Sequence, residues 1–229
     1  MTIEIGMLLF PNVTQLDLTG PFEVLRSLPG ARVHTLGKTT EPVQSEGGLT
    51  LVPSTSYAEA PTLDVLFVPG GAGQIPMTRD PEVLAYLHEV GSAARWVSSA
   101  CTGALLLGAA GLLRGYRAAT HWAFMELLPI VGAIPVEQRV VVDRNRITGG
   151  GVTAGIDIAL TLVAEIAGRE TAELIQLQLE YDPHPPFTSG HPRVAESSLV
   201  ARVRETVRAR FDERRAQLEA IAQTWSQAH

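Results

Sequence analysis

The sequence contains a single cysteine, Cys101, among its 229 residues. One cysteine cannot form an internal disulfide, and zinc sites built from several thiolates are excluded. Histidine is scarce as well: His184 and His191 stand in a proline-rich segment with no second ligand at metal-binding spacing. We therefore expect no metal site, and the chemistry of the one cysteine becomes the main question.

Long apolar runs and an excess of basic residues are also missing. The longest apolar run, residues 104–113, is about half the length that a bilayer requires, and two glycines interrupt it. Residues 1–5 lack the basic start and apolar stretch of a signal peptide. The formal net charge is −6, so the overall field gives no help to binding nucleic acid or an anionic membrane. We expect a cytoplasmic protein with neither of these partners.

The sequence does contain a regular alternation of apolar strands and helical segments. Pro21 predicts a helix from about residue 20 to residue 28, and Asp80 followed by Pro81 predicts an N-cap and first helical position. Nearly continuous apolar runs are typical of strands buried on both faces of a parallel sheet. Such runs cover residues 3–10 and 63–68, and residues 95–100 form a further predicted strand. The alternation predicts an α/β fold, a three-layer α/β/α sandwich around a mainly parallel sheet.

The C-terminal stretch predicts a long helix over about residues 195–225. Apolar residues recur there at four-residue spacing, namely Leu199, Val203, Val207 and Phe211. Seven arginines between residues 193 and 215 suggest a nucleic-acid surface, but acidic residues are interleaved with them. We interpret the segment as a solvated amphipathic helix that ends a single domain spanning residues 1–229.

A strand of small residues leads directly into Cys101, and a helix is predicted immediately after it. This arrangement is typical of a nucleophile elbow, a turn that admits only small neighbours such as Ala100 and Gly103. A lone cysteine is more often a small buried hydrophobe, but its place at this boundary favours a nucleophile. We expect the helix N-terminus to stabilise a thiolate and the N–H of Thr102 to face a reacting anion.

Two further segments are expected at the same edge of the sheet. Gly70 and Gly71 follow the strand 63–68, and they form either a plain turn or a cradle whose amides bind the reacting group. Asp17 follows the first strand between two leucines. It is either a helix-capping residue or a buried carboxyl group with a raised pKa, suited to donate a proton.

His121 and Glu23 are weaker candidates. His121 lies twenty positions after Cys101 in sequence. We interpret it as a core histidine at the start of a helix, with contact to a substrate as the alternative. Glu23 lies inside the first predicted helix, where a surface position is favoured over a catalytic one.

Taken together, these motifs resemble the ThiJ/PfpI superfamily over about residues 3–190. The segments that carry the resemblance are Ala100-Cys101-Thr102-Gly103, Val68-Pro69-Gly70-Gly71, Ala119-Thr120-His121-Trp122 and Ile147-Thr148-Gly149-Gly150-Gly151. The resemblance implies a flavodoxin-like fold related to class I glutamine amidotransferases, a homodimer and no cofactor. Protease-like members have His where this chain has Thr102, and regulator members carry a double helix-turn-helix domain longer than the roughly forty residues after Pro192. We therefore expect neither a peptidase nor a regulator.

Two segments, residues 10–17 and 181–187, resemble more narrowly the members that hydrate isocyanides. In those enzymes the elbow cysteine attacks the isocyanide carbon and an acidic residue after the first strand assists proton transfer. The resemblance places these roles on Cys101 and Asp17, with Thr102 orienting the acid. It implies hydration of a small-molecule isocyanide to an N-substituted formamide through a covalent thioimidate. Gly70, Gly71 and His121 are then expected at the substrate.

Three alternatives to this function stay open at the level of sequence. One is a glyoxalase-like or deglycase-like activity on small aldehydes with the same thiolate. The second is a redox sensor, in which an exposed Cys101 of low pKa is oxidised to a sulfinic acid. The third is a module that binds a ligand without turning it over.

Overall fold

The computed structural model describes residues 2–226, and a seven-stranded sheet lies at its centre. The strands in that range are β1 (Ile3–Leu8), β2 (Ala31–Gly37), β3 (Val43–Gln44), β4 (Thr50–Leu51), β5 (Thr55–Ser56), β6 (Val65–Val68), β7 (Trp96–Ser99), β8 (Arg117–Ala118), β9 (Ile134–Pro135), β10 (Val140–Asp143) and β11 (Arg146–Gly149). The order across the central sheet is β10-β11-β7-β6-β1-β2-β5. Within this central sheet of the described residues, only β10 runs antiparallel to its neighbour. The mainly parallel sheet that the apolar runs predict is confirmed.

Helices cover the sheet in two groups. The α-helices are α1 (Gln15–Leu25), α2 (Gln74–Thr78), α3 (Pro81–Ala93), α4 (Gly103–Ala109), α5 (Ala154–Ala167), α6 (Arg169–Gln178) and α7 (Ser197–Ser226), and two 3-10 helices span Tyr57–Glu59 and Trp122–Val131. α1 packs on α5, and α5 on α6, whereas α2, α3 and α4 pack together. The fold is therefore the predicted flavodoxin-like α/β/α sandwich. No helix within residues 2–226 is long and apolar enough to span a membrane.

The first helix begins earlier than Pro21 predicts. α1 starts at Gln15 and contains Pro21 in its interior, so Asp17 lies in its first turn rather than in a loop. Proline removes one helical hydrogen bond, which normally breaks a helix. Packing compensates here: α5 lies so close that a Cβ atom at Gly155 would be 2.8 Å from the Pro21 ring. Tertiary contact therefore overrides the local signal of the proline.

The other local signals are confirmed more closely. The Asp80 side chain caps α3 by accepting from the N–H groups of Glu82 at 3.1 Å and Val83 at 3.4 Å. The short strands β3 and β4 pair antiparallel with each other outside the central sheet. The helix expected at residues 121–128 is instead a 3-10 helix that contains Pro129.

The C-terminal helix exists, but the interpretation of it as a solvated helix is only partly correct. α7 packs on the 122–131 helix and on α2. Most of its side chains are exposed, yet Arg214 is 2% exposed and Leu218 is fully buried. The middle of α7 therefore belongs to the protein interior.

Candidate active site

Cys101 sits at a tight turn between β7 and α4. Its φ of +53° lies in the left-handed region, which non-glycine residues rarely adopt. Two hydrogen bonds hold this backbone: the Cys101 N–H donates to the Gly150 carbonyl at 3.0 Å, and its carbonyl accepts from Thr120 Oγ1 at 2.7 Å. A Cβ atom at Gly103 would collide with the Val68 carbonyl oxygen, so only glycine fits there. The geometry is that of the predicted nucleophile elbow.

Asp17 is fully buried beside the Cys101 sulfur. Its Oδ2 accepts from the Gly70 N–H at 3.1 Å, while Oδ1 has no nitrogen or oxygen partner. Burial raises the pKa of Asp17 from 3.8 to about 7, against the opposing effects of Cys101 and the Gly70 N–H. The negative charge of Glu46 adds a smaller upward shift. Asp17 therefore gains or loses a proton near neutral pH.

The thiol of Cys101 is also buried, with 7% of the residue exposed. Burial raises its pKa well above the ordinary value, and an ionised Asp17 raises it further. The N–H of Thr102 and the positive charge of Arg214 act in the opposite direction. Burial, and next the charge of Asp17, thus outweigh the expected stabilisation of a thiolate by the helix end. The two adjacent acids behave as a coupled pair that shares one proton.

Thr102 and the two glycines form one hydrogen-bonded unit next to Cys101. The Gly71 N–H donates to Thr102 Oγ1 at 3.1 Å, and the Gly70 carbonyl accepts from the Thr14 N–H at 3.0 Å. A Cβ atom at Gly70 would lie 2.8 Å from the Cβ of Cys101, so glycine is required for this approach. Because the Gly71 N–H already has a partner, the geometry does not support the expectation that it binds a reacting anion. The loop instead holds Asp17 and Thr102 in place.

His121 lies at the start of the 122–131 helix, as expected. Its Nδ1 accepts from the Ala123 N–H at 3.2 Å and so caps that helix. Burial, with a smaller contribution from the Arg214 charge, lowers the pKa of His121 to about 4. The ring is therefore neutral at pH 7. Glu23 is half exposed and pairs with Arg26 at 2.7 Å, which confirms its surface position.

A cavity of about 570 Å³ opens beside the elbow. Thr120 and Gly150, which hold the Cys101 backbone, both line it. Its apolar wall includes Trp122, Met125 and Val152, and His121 borders it as well. Within the described residues 2–226, no group of three or more His, Cys, Asp and Glu side chains is placed to hold a metal ion.

Sequence reasoning missed Arg214. Its Nε donates to Gln74 Oε1 at 2.7 Å and its Nη2 to the Gly71 carbonyl at 2.9 Å. The guanidinium also lies 4.5 Å from the centre of the Phe124 ring. A signal was available, because Arg214 falls between Phe211 and Leu218 on the apolar stripe of α7, where an arginine is out of place.

Comparison with known proteins agrees with this geometry. A model of the DJ-1/PfpI family matches residues 4–165. An isonitrile hydratase from Pseudomonas putida is 56% identical over 205 residues, or 90% of each chain. The HTH-type transcriptional regulator GbdR of Pseudomonas aeruginosa is 35% identical over 191 residues, which are 78% of this chain but 51% of the regulator. The crystal structure of a ThiJ/PfpI family protein from Pseudomonas syringae has a TM-score of 0.91 at 43% identity, covering 97% of this chain and 91% of that one. This chain belongs to the DJ-1/PfpI family.

Proposed function

We propose that this protein hydrates isocyanides to N-substituted formamides, with Cys101 as the nucleophile and Asp17 as the acid and base. The observation that carries the proposal is the buried pair of Cys101 and Asp17 at the elbow, with the pKa of Asp17 raised to about 7. A carboxyl group that titrates near the working pH serves equally well as proton donor and acceptor. The likeness to the isonitrile hydratase of Pseudomonas putida supports the choice of substrate.

The first half of the reaction begins when the shared proton moves from Cys101 to Asp17, which leaves Cys101 as a thiolate. The sulfur attacks the terminal carbon of the isocyanide and forms a C–S bond. Asp17 gives its proton to that same carbon and becomes a carboxylate. The product is a covalent thioimidate in which carbon is bonded to sulfur, hydrogen and nitrogen.

In the second half, water adds to the thioimidate. The Asp17 carboxylate takes a proton from water as the hydroxyl group bonds to carbon, and it passes this proton to nitrogen. The C–S bond then breaks and returns the Cys101 thiolate, while the hydroxyl proton moves to Asp17. The N-substituted formamide leaves, and the starting protonation of both residues is restored.

The surroundings of the pair suit this chemistry. Thr102 holds the loop whose Gly70 N–H binds the Asp17 carboxyl, so we assign it the orienting role. The apolar wall formed by Trp122, Met125 and Val152 offers space for a hydrophobic substituent of a neutral substrate. The burial of Cys101 speaks against the redox sensor, which requires an exposed thiol. We also propose a cytoplasmic homodimer, on the family resemblance, with light scattering as the test of the dimer.

The test is formamide production from a simple aryl isocyanide, followed by chromatography of the product. We expect turnover by the native protein, none by Cys101→Ala, and a 10²- to 10⁴-fold loss in Asp17→Asn, the usual contribution of a general acid–base (~10²–10⁴). Thr102→Val serves as the milder variant, with a loss of about tenfold because it removes the hydrogen bonds of one hydroxyl group that orients the loop and leaves both reacting groups in place. Native protein that consumes methylglyoxal but no isocyanide would replace the hydratase with the aldehyde alternative.

A further inference from the structure

Arg214 is a buried cation that pairs with no carboxylate within residues 2–226. The two carboxylates whose charges reach it, Glu46 and Glu213, are paired with Arg210 at 3.0 Å and Arg79 at 3.0 Å. The groups that do contact Arg214 are a carbonyl, an amide oxygen and an aromatic ring. Its Nη1 is buried and has no hydrogen-bond partner in the described chain. A buried charge is normally compensated by an opposite charge, so the contacts named above leave the guanidinium of Arg214 without a counter-ion.

The hydrogen bonds of Arg214 lead to the nucleophile in two steps. The Gly71 carbonyl accepts from Arg214 Nη2 at 2.9 Å and, more weakly, from Thr102 Oγ1 at 3.5 Å. Thr102 follows Cys101 directly, and its own backbone N–H bonds the sulfur. α7 therefore places a positive charge behind the loop that positions both Thr102 and Asp17.

We propose that Arg214 is a positioning residue for Cys101. Its guanidinium fixes the Gly71 loop, and its positive charge stabilises the Cys101 thiolate. The thiolate is in turn the counter-ion that the guanidinium lacks. The family match ends at residue 165, so this residue lies outside the segment that the family model covers. Arg214 remains charged at neutral pH, because burial lowers its pKa only to about 10. The inference does not depend on the substrate, since it concerns the ionisation of the thiol.

The charged groups around the pair are few, which makes the effect measurable. Asp17 and Arg214 act directly on the sulfur, from α1 and α7. Glu46 acts on Asp17 and, with Glu213, on the guanidinium. Arg210 faces the guanidinium from the preceding turn of α7, and His121 is neutral near pH 7.

The decisive measurement is the absorbance of the thiolate near 240 nm as a function of pH. The chain has one cysteine and four tyrosines, so the thiolate signal of Cys101 is obtained by subtracting the tyrosinate absorbance of Cys101→Ala at each pH. In Arg214→Met we expect the midpoint of thiolate formation to rise by roughly one pH unit, since loss of an opposite charge shifts a pKa by this amount. Alkylation by iodoacetamide at pH 7 then slows about tenfold, in proportion to the thiolate fraction.

Two variants separate charge from structure. Gln74→Glu leaves Arg214 in place but sets a carboxylate against its Nε, where the amide oxygen now lies at 2.7 Å. If the charge acts on Cys101, this variant also raises the midpoint, even should Arg214→Met fail to fold. Arg214→Lys keeps the positive charge but cannot bond both the Gln74 amide oxygen and the Gly71 carbonyl. We expect kcat to fall in this variant while the midpoint of thiolate formation stays unchanged.

The matched control is Arg215→Met. Arg215 is the next residue of α7, faces solvent and pairs with Glu219 at 2.8 Å. We expect its replacement to leave the absorbance profile unchanged. An unchanged midpoint in Gln74→Glu, or an equal shift in Arg215→Met, would overturn the proposal and leave Arg214 a packing residue.

Discussion

The elbow around Cys101 and the helix α7 build the same site in opposite ways. At the elbow, consecutive residues place the sulfur, the Thr102 amide and the strained backbone together within one turn. α7 is 30 residues long and mostly exposed, and it contacts the Gly71 loop through the buried side chain of Arg214. The first arrangement is encoded locally and the second depends on the docking of a distant helix.

The contrast shows that the residues around Cys101 lower the stability of the fold, whereas the exposed residues of α7 do not. The elbow has a strained φ at Cys101 and packs against the buried carboxyl group of Asp17 from α1, and both features oppose folding. The exposed face of α7 carries paired surface charges, which neither stabilise nor destabilise the fold much. The following substitutions measure how far this contrast extends.

The largest effect on stability is expected from Asp17→Asn. The pKa of Asp17 is 3.8 in the unfolded chain and about 7 in the folded protein. The free energy of unfolding is therefore highest below pH 4 with respect to this group, and it decreases as the pH rises to about 7. Above pH 7 the loss is on the order of 4 kcal/mol, which the neutral asparagine avoids. Urea unfolding at pH 4 and pH 8 should show the variant more stable only at pH 8.

Asp80→Asn is the control for this experiment. A hydrogen bond from Lys38 lowers the pKa of Asp80, so its charge adds stability above its usual pKa that is lost in acid. The asparagine variant should therefore be slightly less stable at pH 8, the opposite sign. Parallel curves for the native protein and Asp17→Asn between pH 4 and pH 8 would contradict the cost assigned to the buried carboxyl.

The next effect in size is expected from Gly103→Ala at the elbow. The added Cβ atom meets the carbonyl of Val68 on the neighbouring strand, and overpacking of this kind costs about 2–3 kcal/mol. Thermal unfolding checks the value. Gly47→Ala, where nothing lies within 4 Å of the new atom, is the control and should change stability by less than about 0.5 kcal/mol. Equal losses in both variants would mean that the elbow is no tighter than a surface turn.

The smallest effect is expected on the exposed face of α7. Arg208 pairs with Glu205 at 2.6 Å, and both side chains are about two-thirds exposed (67% and 68%). Surface pairs of this kind contribute less than about 0.5 kcal/mol, because water screens them. Arg208→Ala should shift the urea midpoint barely at all. A loss above about 1 kcal/mol would show that the surface pairs of α7 help to hold it on the core, and the contrast with the elbow would break down.

The sequence was informative where the physical signal is local. The cap at Asp80 depends on residues two and three positions away, and the elbow on the small residues around Cys101. α1 was placed wrongly because its continuation through Pro21 depends on contact with α5, far along the chain. The partner of the Gly71 amide, Thr102 Oγ1, could not be predicted for a similar reason, since a glycine pattern does not say which acceptor the amide finds.

Arg214 shows the limit most clearly. Seven arginines lie between residues 193 and 215, and composition treats them alike. Only the position of Arg214 on the apolar stripe distinguishes it from the others. The stripe predicts that the side chain is buried, but it does not predict which part of the protein it packs against. Its partners, Gly71 and Gln74, lie 143 and 140 positions earlier in the chain.

That separation bears on how the protein is made. Ribosomes release the chain in order, so the strands of the sheet and the elbow emerge well before α7. On the proposed role of Arg214, a nascent chain at that stage holds its cysteine mainly as the unreactive thiol. Docking of α7 brings the guanidinium to the Gly71 carbonyl and lowers the pKa of Cys101 from the value it would have without that charge. Synthesis from one end therefore delays this activation of the sulfur until the fold that contains it is nearly complete.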